Sequence, residues 1–205
     1  MKKILKWIGL AVLVIAAGGL MAFLYYIPPF FTTTPEEFSA TMKSAAPPAS
    51  DIADPLQRAM AERGREIVVR TGCIGCHAVN GPNGPDYTKY LGGGGIRIHS
   101  PTGTFVSRNL TPDPETGLTQ RSDDEVKRVL RSGVFPDGHV VPSSAMPWAN
   151  FSNWTEEDRH AVVVYLRHLK PVRHKIPDPI IRPEPLEPGV IERDYAFKDY
   201  GLPEK

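Results

Sequence analysis

The chain has 205 residues and a formal net charge of +1, enough for one ordinary domain with extensions. It lacks the clustered basic character that nucleic-acid binding requires. Proline is in excess, at 21 residues against a usual share of roughly 5%, so long loops and extended segments are expected.

The N-terminus reads as a membrane segment. Lys2, Lys3 and Lys6 precede Ile8 to Ile27, a stretch without charge. At about 1.5 Å per residue this stretch reaches roughly 30 Å, the thickness of a hydrocarbon core. Trp7 at one end and Tyr25 and Tyr26 at the other suit the two interfaces. Lysines before the span, with Glu36 and Glu37 after it, put the N-terminus in the cytoplasm and the remainder outside. The alternative is a cleaved signal peptide, for which Ala16, Ala17, Gly18 and Leu20-Met21-Ala22 offer small-residue sites. Both readings export the main domain.

Residues 28–53 read as a linker in which Pro28, Pro29, Pro35, Pro47 and Pro48 alternate with Ser, Thr and Ala. A helix is predicted from Asp54-Pro55, with Asp54 as cap and Pro55 in the first turn. Leu56, Met60, Gly64 and Ile67 share one of its faces, and Gly64 leaves room for a second helix to cross. The four glycines Gly92 to Gly95 read as a flexible loop; no strand or Gly-Lys-Ser/Thr ending supports a phosphate cradle. Thr111 to Gly117 is turn chemistry.

Ser122 and Glu125 form a capping box for a helix carrying Val126, Val129 and Leu130 and ending at Gly133. A last helix starts at Thr155, with Glu156, Glu157 and Asp158 in its first turn and Pro171 beyond its end. Its inward face is Val162, Tyr165, Leu166 and Leu169. No convincing period-2 pattern is apparent. The expected fold class is therefore all-α, with an anchor over 1–27, a linker over 28–53, a helical domain over 54–172 and a Pro-rich tail over 173–205. That tail is expected to wrap the domain or dock a neighbouring subunit.

The chemistry lies in Cys73-Ile74-Gly75-Cys76-His77. Two cysteines separated by two residues and followed at once by histidine are the attachment signature of a c-type haem. Cys73 and Cys76 are placed to form thioethers with the two vinyl groups of one porphyrin, and His77 to ligate the iron as proximal ligand. A structural zinc site would need a second ligand pair, a thioredoxin-like motif a βαβ context, and a disulfide would leave His77 without a role. Met146 is the one methionine downstream of the motif. Pro147 biases it toward extended backbone, so it is expected on a stiff loop as distal iron ligand. His99 and His139 are the alternatives. His/Met ligation fills both axial positions and raises the potential relative to bis-histidine. Such a centre passes single electrons, takes no small-molecule substrate and is not itself an enzyme. A haem-based sensor or peroxidase-like protein with an open sixth iron position is the alternative.

These residues resemble a class I cytochrome c. More closely, the chain resembles the cytochrome c subunits and domains that accompany membrane-bound bacterial alcohol, aldehyde and gluconate dehydrogenases. The stretches that carry the likeness are Arg63 to His77, Ser107 to Gly117, Ser122 to Val126, Ala145 to Trp148 and Val164 to Arg167. The resemblance implies covalent haem c, a crossing of Gly64 with Tyr165 and Leu166, and packing near the haem edge by Phe105, Trp148 and Tyr165. It also implies that Arg108 and Asn109 approach the haem propionates. The dehydrogenase subunits often carry three haem motifs, whereas this sequence has one. The expected role is a membrane-anchored periplasmic carrier at the bacterial inner membrane, or a fixed subunit there. Its partners would be a dehydrogenase, a quinol-oxidising complex or a terminal oxidase.

Overall fold

A computed structural model describes residues 2–26, 46–82 and 84–182, together with a short strand at 192–194. Most of the linker and much of the tail lie outside the described residues. The first helix, α1 (Lys2–Tyr26), forms a unit of its own. It is long and apolar enough to cross a membrane, with a mean hydropathy of 2.4 over its most apolar window.

The second unit, from residue 45 onward, is built on two helices. Helix α2 (Pro55–Arg70) begins as its sequence dictates: Asp54 accepts from the backbone N–H groups of Leu56 and Gln57, each at 2.8 Å. Such a cap is worth ~1 kcal/mol. A one-turn helix, α3 (Ile74–His77), follows, and then a two-residue hairpin of β1 (Asn80–Gly81) and β2 (Gly84–Pro85). Strands β3 (Arg97–Ser100) and β4 (Gly103–Val106) come next. Helix α4 (Asp123–Ser132) has the complete Ser122/Glu125 capping box and ends at Gly133 in the left-handed conformation, φ 69°. A single turn, α5 (Trp148–Phe151), precedes α6 (Glu156–His168), which Thr155 caps through the N–H of Asp158.

Helices α2 and α6 cross at Gly64. A Cβ there would collide with the carbonyl of Ala161 and lie 3.0 Å from the Cβ of Tyr165. The contact is thus with Ala161 and Tyr165, while Leu166 packs in the core. Around the crossing Ile67, Val68, Val162, Val163, Tyr165 and Leu166 are buried. Each such aliphatic or aromatic side chain contributes about 1.5–3 kcal/mol. The Tyr165 hydroxyl donates to the carbonyl of Pro47 at 2.9 Å, tying the segment before α2 to α6.

The all-α expectation needs correction. Strands β3 and β4 pair antiparallel, Arg97 with Val106 through Ser100 with Gly103. Two strands of the tail complete a sheet in the order β5-β4-β3-β6. Strand β5 (Ile180–Ile181) lies beside Gly103 and Thr104, and β6 (Glu192–Asp194) beside Arg97 to His99. These strands are two to four residues long, too short for period-2 alternation to stand out. The alternation shows in burial, with Ile98 and Ser100 buried against half-buried Arg97 and His99, and Gly103 and Phe105 buried against half-buried Thr104 and Val106. The described part of the tail wraps the domain: Val172 and Ile176 are buried.

Candidate haem site

The geometry around the cysteines starts with the end of α2. Gly72 adopts φ 68°, and two backbone bonds close the helix there: Gly72 N–H to Val69 O at 3.1 Å and Cys73 N–H to Val68 O at 3.3 Å. This is a Schellman turn. It delivers the chain directly into α3, with Cys73 at its N-cap and Cys76 and His77 within it. Cys73 and Cys76 are free of any disulfide. Burial pushes the Cys73 thiol above its usual pKa, opposed by a 3.4 Å contact with the Thr71 hydroxyl.

His77 is held by its ring. Nδ1 lies 2.7 Å from the carbonyl oxygen of Arg108. A carbonyl only accepts, so Nδ1 carries the proton and Nε2 keeps a lone pair. Burial lowers the ring's pKa, and the Arg108 carbonyl works in the opposite direction.

That carbonyl is set in place by the glycine run, which is buried against backbone rather than exposed. Gly92 to Gly95 are all buried. Gly93 adopts φ 85°, and a Cβ on it would lie 2.6 Å from Asn109 N and 2.8 Å from Arg108 O. A Cβ on Gly95 would lie 2.6 Å from the Cys76 carbonyl. Backbone passes against backbone here, and the N–H of Gly93 donates to the carbonyl of His77 at 2.9 Å.

Cys73, Cys76, His77 and Met146 line one cavity of about 570 Å³, a size usual for cofactor pockets (~300–1,000 Å³). Its wall is largely apolar, with Val68, Ile98, Phe105, Leu130 and Leu166 among the lining residues. Two thiols on one wall, an imidazole with a free lone pair, a thioether and an apolar surround fit a covalently held iron porphyrin. No group of three or more His, Cys, Asp or Glu able to hold a bare metal ion occurs among the described residues. The zinc alternative therefore finds no ligand set there.

Met146 does not sit on a straight extended loop. Residues 142–146 turn, with the N–H groups of Ala145 and Met146 both donating to Pro142 O, at 2.9 and 3.0 Å. The Trp148 indole N–H donates to the Val141 carbonyl at 2.8 Å and pins this turn. The indole also packs on Gly133, where any Cβ would strike it.

The alternative histidines separate. His99 is on β3 with Nδ1 2.9 Å from the Thr104 hydroxyl. His139 lines the cavity, its ring stacked on Phe135 with centroids 4.4 Å apart and its Nδ1 2.6 Å from Asp137. His160 is exposed, whereas His168 bonds Asp51 and His174 bonds the Gly92 carbonyl.

Arg108 and Asn109, the side chains expected at the propionates, both line the cavity and also bond protein groups. Asn109 donates to Thr116 and Val172 O and accepts from Thr111, shaping its own loop. Arg108 reaches the tail. Phe105 lines the cavity as expected, while Tyr165 belongs to the α2–α6 crossing.

The cytochrome c family model matches residues 61–170, more than half of the sequence. The chain belongs to the cytochrome c family. That family holds haem c covalently, iron included. The chain is 38% identical over 120 residues to a subunit of the nicotinate dehydrogenase of Pseudomonas putida, covering 58% of this chain and 9% of that protein. It is 34% identical to the cytochrome c subunit of the quinone alcohol dehydrogenase of Gluconobacter oxydans, covering 62% and 25% respectively. The gluconate 2-dehydrogenase cytochrome c subunit of Pantoea cypripedii is 32% identical, with 56% and 24% covered. The chain thus spans a quarter or less of the length of these relatives.

Sequence reasoning missed Gly72, Gly93 and the backbone carbonyl of Arg108. For Gly72, a glycine just past a helical run was the available signal. A carbonyl has no signal in a sequence at all.

Proposed function

We propose that this protein is a membrane-anchored monohaem cytochrome c that transfers single electrons in a periplasmic respiratory chain. In this reading Cys73 and Cys76 hold the haem through thioethers, His77 is the proximal iron ligand and Met146 the distal one. The observation that carries it is the convergence of these four side chains on one apolar cavity, with the His77 ring proton held at Nδ1.

Bound iron would supply a centre that gains and loses one electron. The protein's own part is to hold it and keep it dry. The Arg108 carbonyl holds the Nδ1 proton, so Nε2 is the ligand atom. Leu130, Phe105 and Leu166 give the cavity an apolar lining that would limit water around the bound group. Met146 would be the second protein ligand in this reading, leaving no open position for a substrate.

The similarity to cytochrome subunits of alcohol and gluconate dehydrogenases supports a dehydrogenase as redox partner, with the protein acting as carrier or as subunit. The apolar α1 supports a single-pass anchor, and Lys2, Lys3 and Lys6 at its start favour a cytochrome domain on the periplasmic side.

The test is the purified holoprotein. One covalent haem per chain by mass, a low-spin ferric spectrum with the charge-transfer band of thioether ligation, and loss of that band in Met146→Ala are expected. A band that persists in Met146→Ala, or a high-spin wild type, would overturn the Met146 assignment and favour the open-site alternative. Retention in the membrane fraction through an alkaline wash tests the anchor.

A further inference from the structure

The tail 172–182 and the proximal histidine meet in one residue. The carbonyl of Arg108 accepts the His77 Nδ1 proton at 2.7 Å. The guanidinium of the same residue donates to Pro177 O at 2.7 Å and Ile176 O at 3.4 Å, with Asp178 3.7 Å away. Its neighbour Asn109 donates to Val172 O at 2.8 Å. Two consecutive residues are thus fastened to the tail on one side. On the other side Gly93 backs the peptide between them, too close to admit a side chain.

We infer that Arg108 is a positioning residue through which the tail fixes the orientation of the His77 imidazole. The inference rests on the reading of His77 as proximal ligand. A carbonyl bonded to the second nitrogen of a ligating histidine sets its ring orientation and its basicity. Here that carbonyl belongs to a short segment gripped from outside by its own side chain. One guanidinium nitrogen, Nη1, donates to both successive carbonyls, more closely to Pro177 O, and the planar guanidinium is held in a more fixed geometry than a rotatable ammonium would be. Ile176 and Pro179 also line the cavity, so release of the tail and movement of the carbonyl would accompany one another.

The experiment uses the full-length holoprotein in detergent. Two quantities are read: solvent exchange of the His77 Nδ1–H by NMR, and the g-tensor anisotropy of the ferric form by EPR, which reports the plane of the axial ring. Arg108→Ala is expected to speed exchange roughly tenfold, the effect of losing about one hydrogen bond's restraint, and to shift the anisotropy. Arg108→Lys should restore part of both. Arg173→Ala removes a neighbouring tail cation that pairs with Glu115 and should leave both at wild-type values, which separates the grip from simple loss of charge. Ile176→Ala, which loosens the tail without altering charge, should move both readouts in the direction of Arg108→Ala.

If Arg108→Ala and Ile176→Ala lower the melting temperature while exchange and anisotropy stay at wild-type values, Arg108 is merely structural and the inference fails. If His77→Ala retains the wild-type low-spin signal, the axial assignment itself is wrong and the inference falls with it.

Discussion

Gly64 and the carbonyl of Ala161 touch across the α2–α6 crossing, and no side chain fits between them. The contact decides how closely the two helices lie, and through Val68 and Leu166 it decides the shape of one cavity wall. Gly64→Val must push the helices apart, because the obstacle is backbone. A loss of about 3 kcal/mol is expected, at the upper end for overpacking, read as a lowered midpoint in urea.

Gly93→Ala meets two obstacles at once, a left-handed φ of 85° and the Arg108–Asn109 peptide. The peptide would have to shift, carrying with it the acceptor of the His77 ring proton. We expect a loss of about 2 kcal/mol, a left-handed strain of ~1–2 kcal/mol plus a steric one. The ferric EPR signal should also broaden or split. An unchanged spectrum and midpoint would show that the glycine run tolerates a side chain.

Trp148→Phe keeps the ring and removes the indole N–H that bonds the Val141 carbonyl at 2.8 Å. About 1 kcal/mol should be lost, concentrated in the turn that carries Met146. The thioether charge-transfer band should bleach at a lower temperature than in wild type, while the Soret band follows the global transition.

Alkaline pH should destabilise the fold through two phenols. Burial pushes the Tyr90 hydroxyl up to about 12 and raises that of Tyr165 further. Both folded-state values lie above the unfolded value of about 10. Their contribution is therefore complete below about pH 10 and is lost as pH rises through the folded values. Phenolate absorbance at these two residues should appear together with unfolding. A smooth titration of all tyrosines near pH 10 in a still-folded protein would contradict this.

What could be read from the sequence was what is local. Asp54, Ser122 with Glu125, and Thr155 cap their helices because a cap is a bond between near neighbours. The Cys73-Ile74-Gly75-Cys76-His77 motif and the small residue at Gly64 are likewise written in place. The hairpin β3–β4 was not legible, because its partners β5 and β6 come from far along the chain. Nor was the glycine run, whose meaning depends on carbonyls at Cys76, Ala78 and Arg108 that it touches only once the chain has folded back. Met146 was singled out by its chemistry, but the Pro142 turn and the Trp148 pin that carry it are set by tertiary contacts.

The two outer strands of the sheet also impose an order of events. The hairpin is flanked on one side by residues 180–181 and on the other by 192–194. Contacts so distant in sequence close slowly, since the intervening loop must first give up its freedom. The helices and the cysteine motif between them can form while that late segment is still unpaired. The grip on Arg108 comes only after Ile176 and Pro177 have arrived. Assembly of the haem domain therefore has a late step, and the stretch beyond its closing helix performs it.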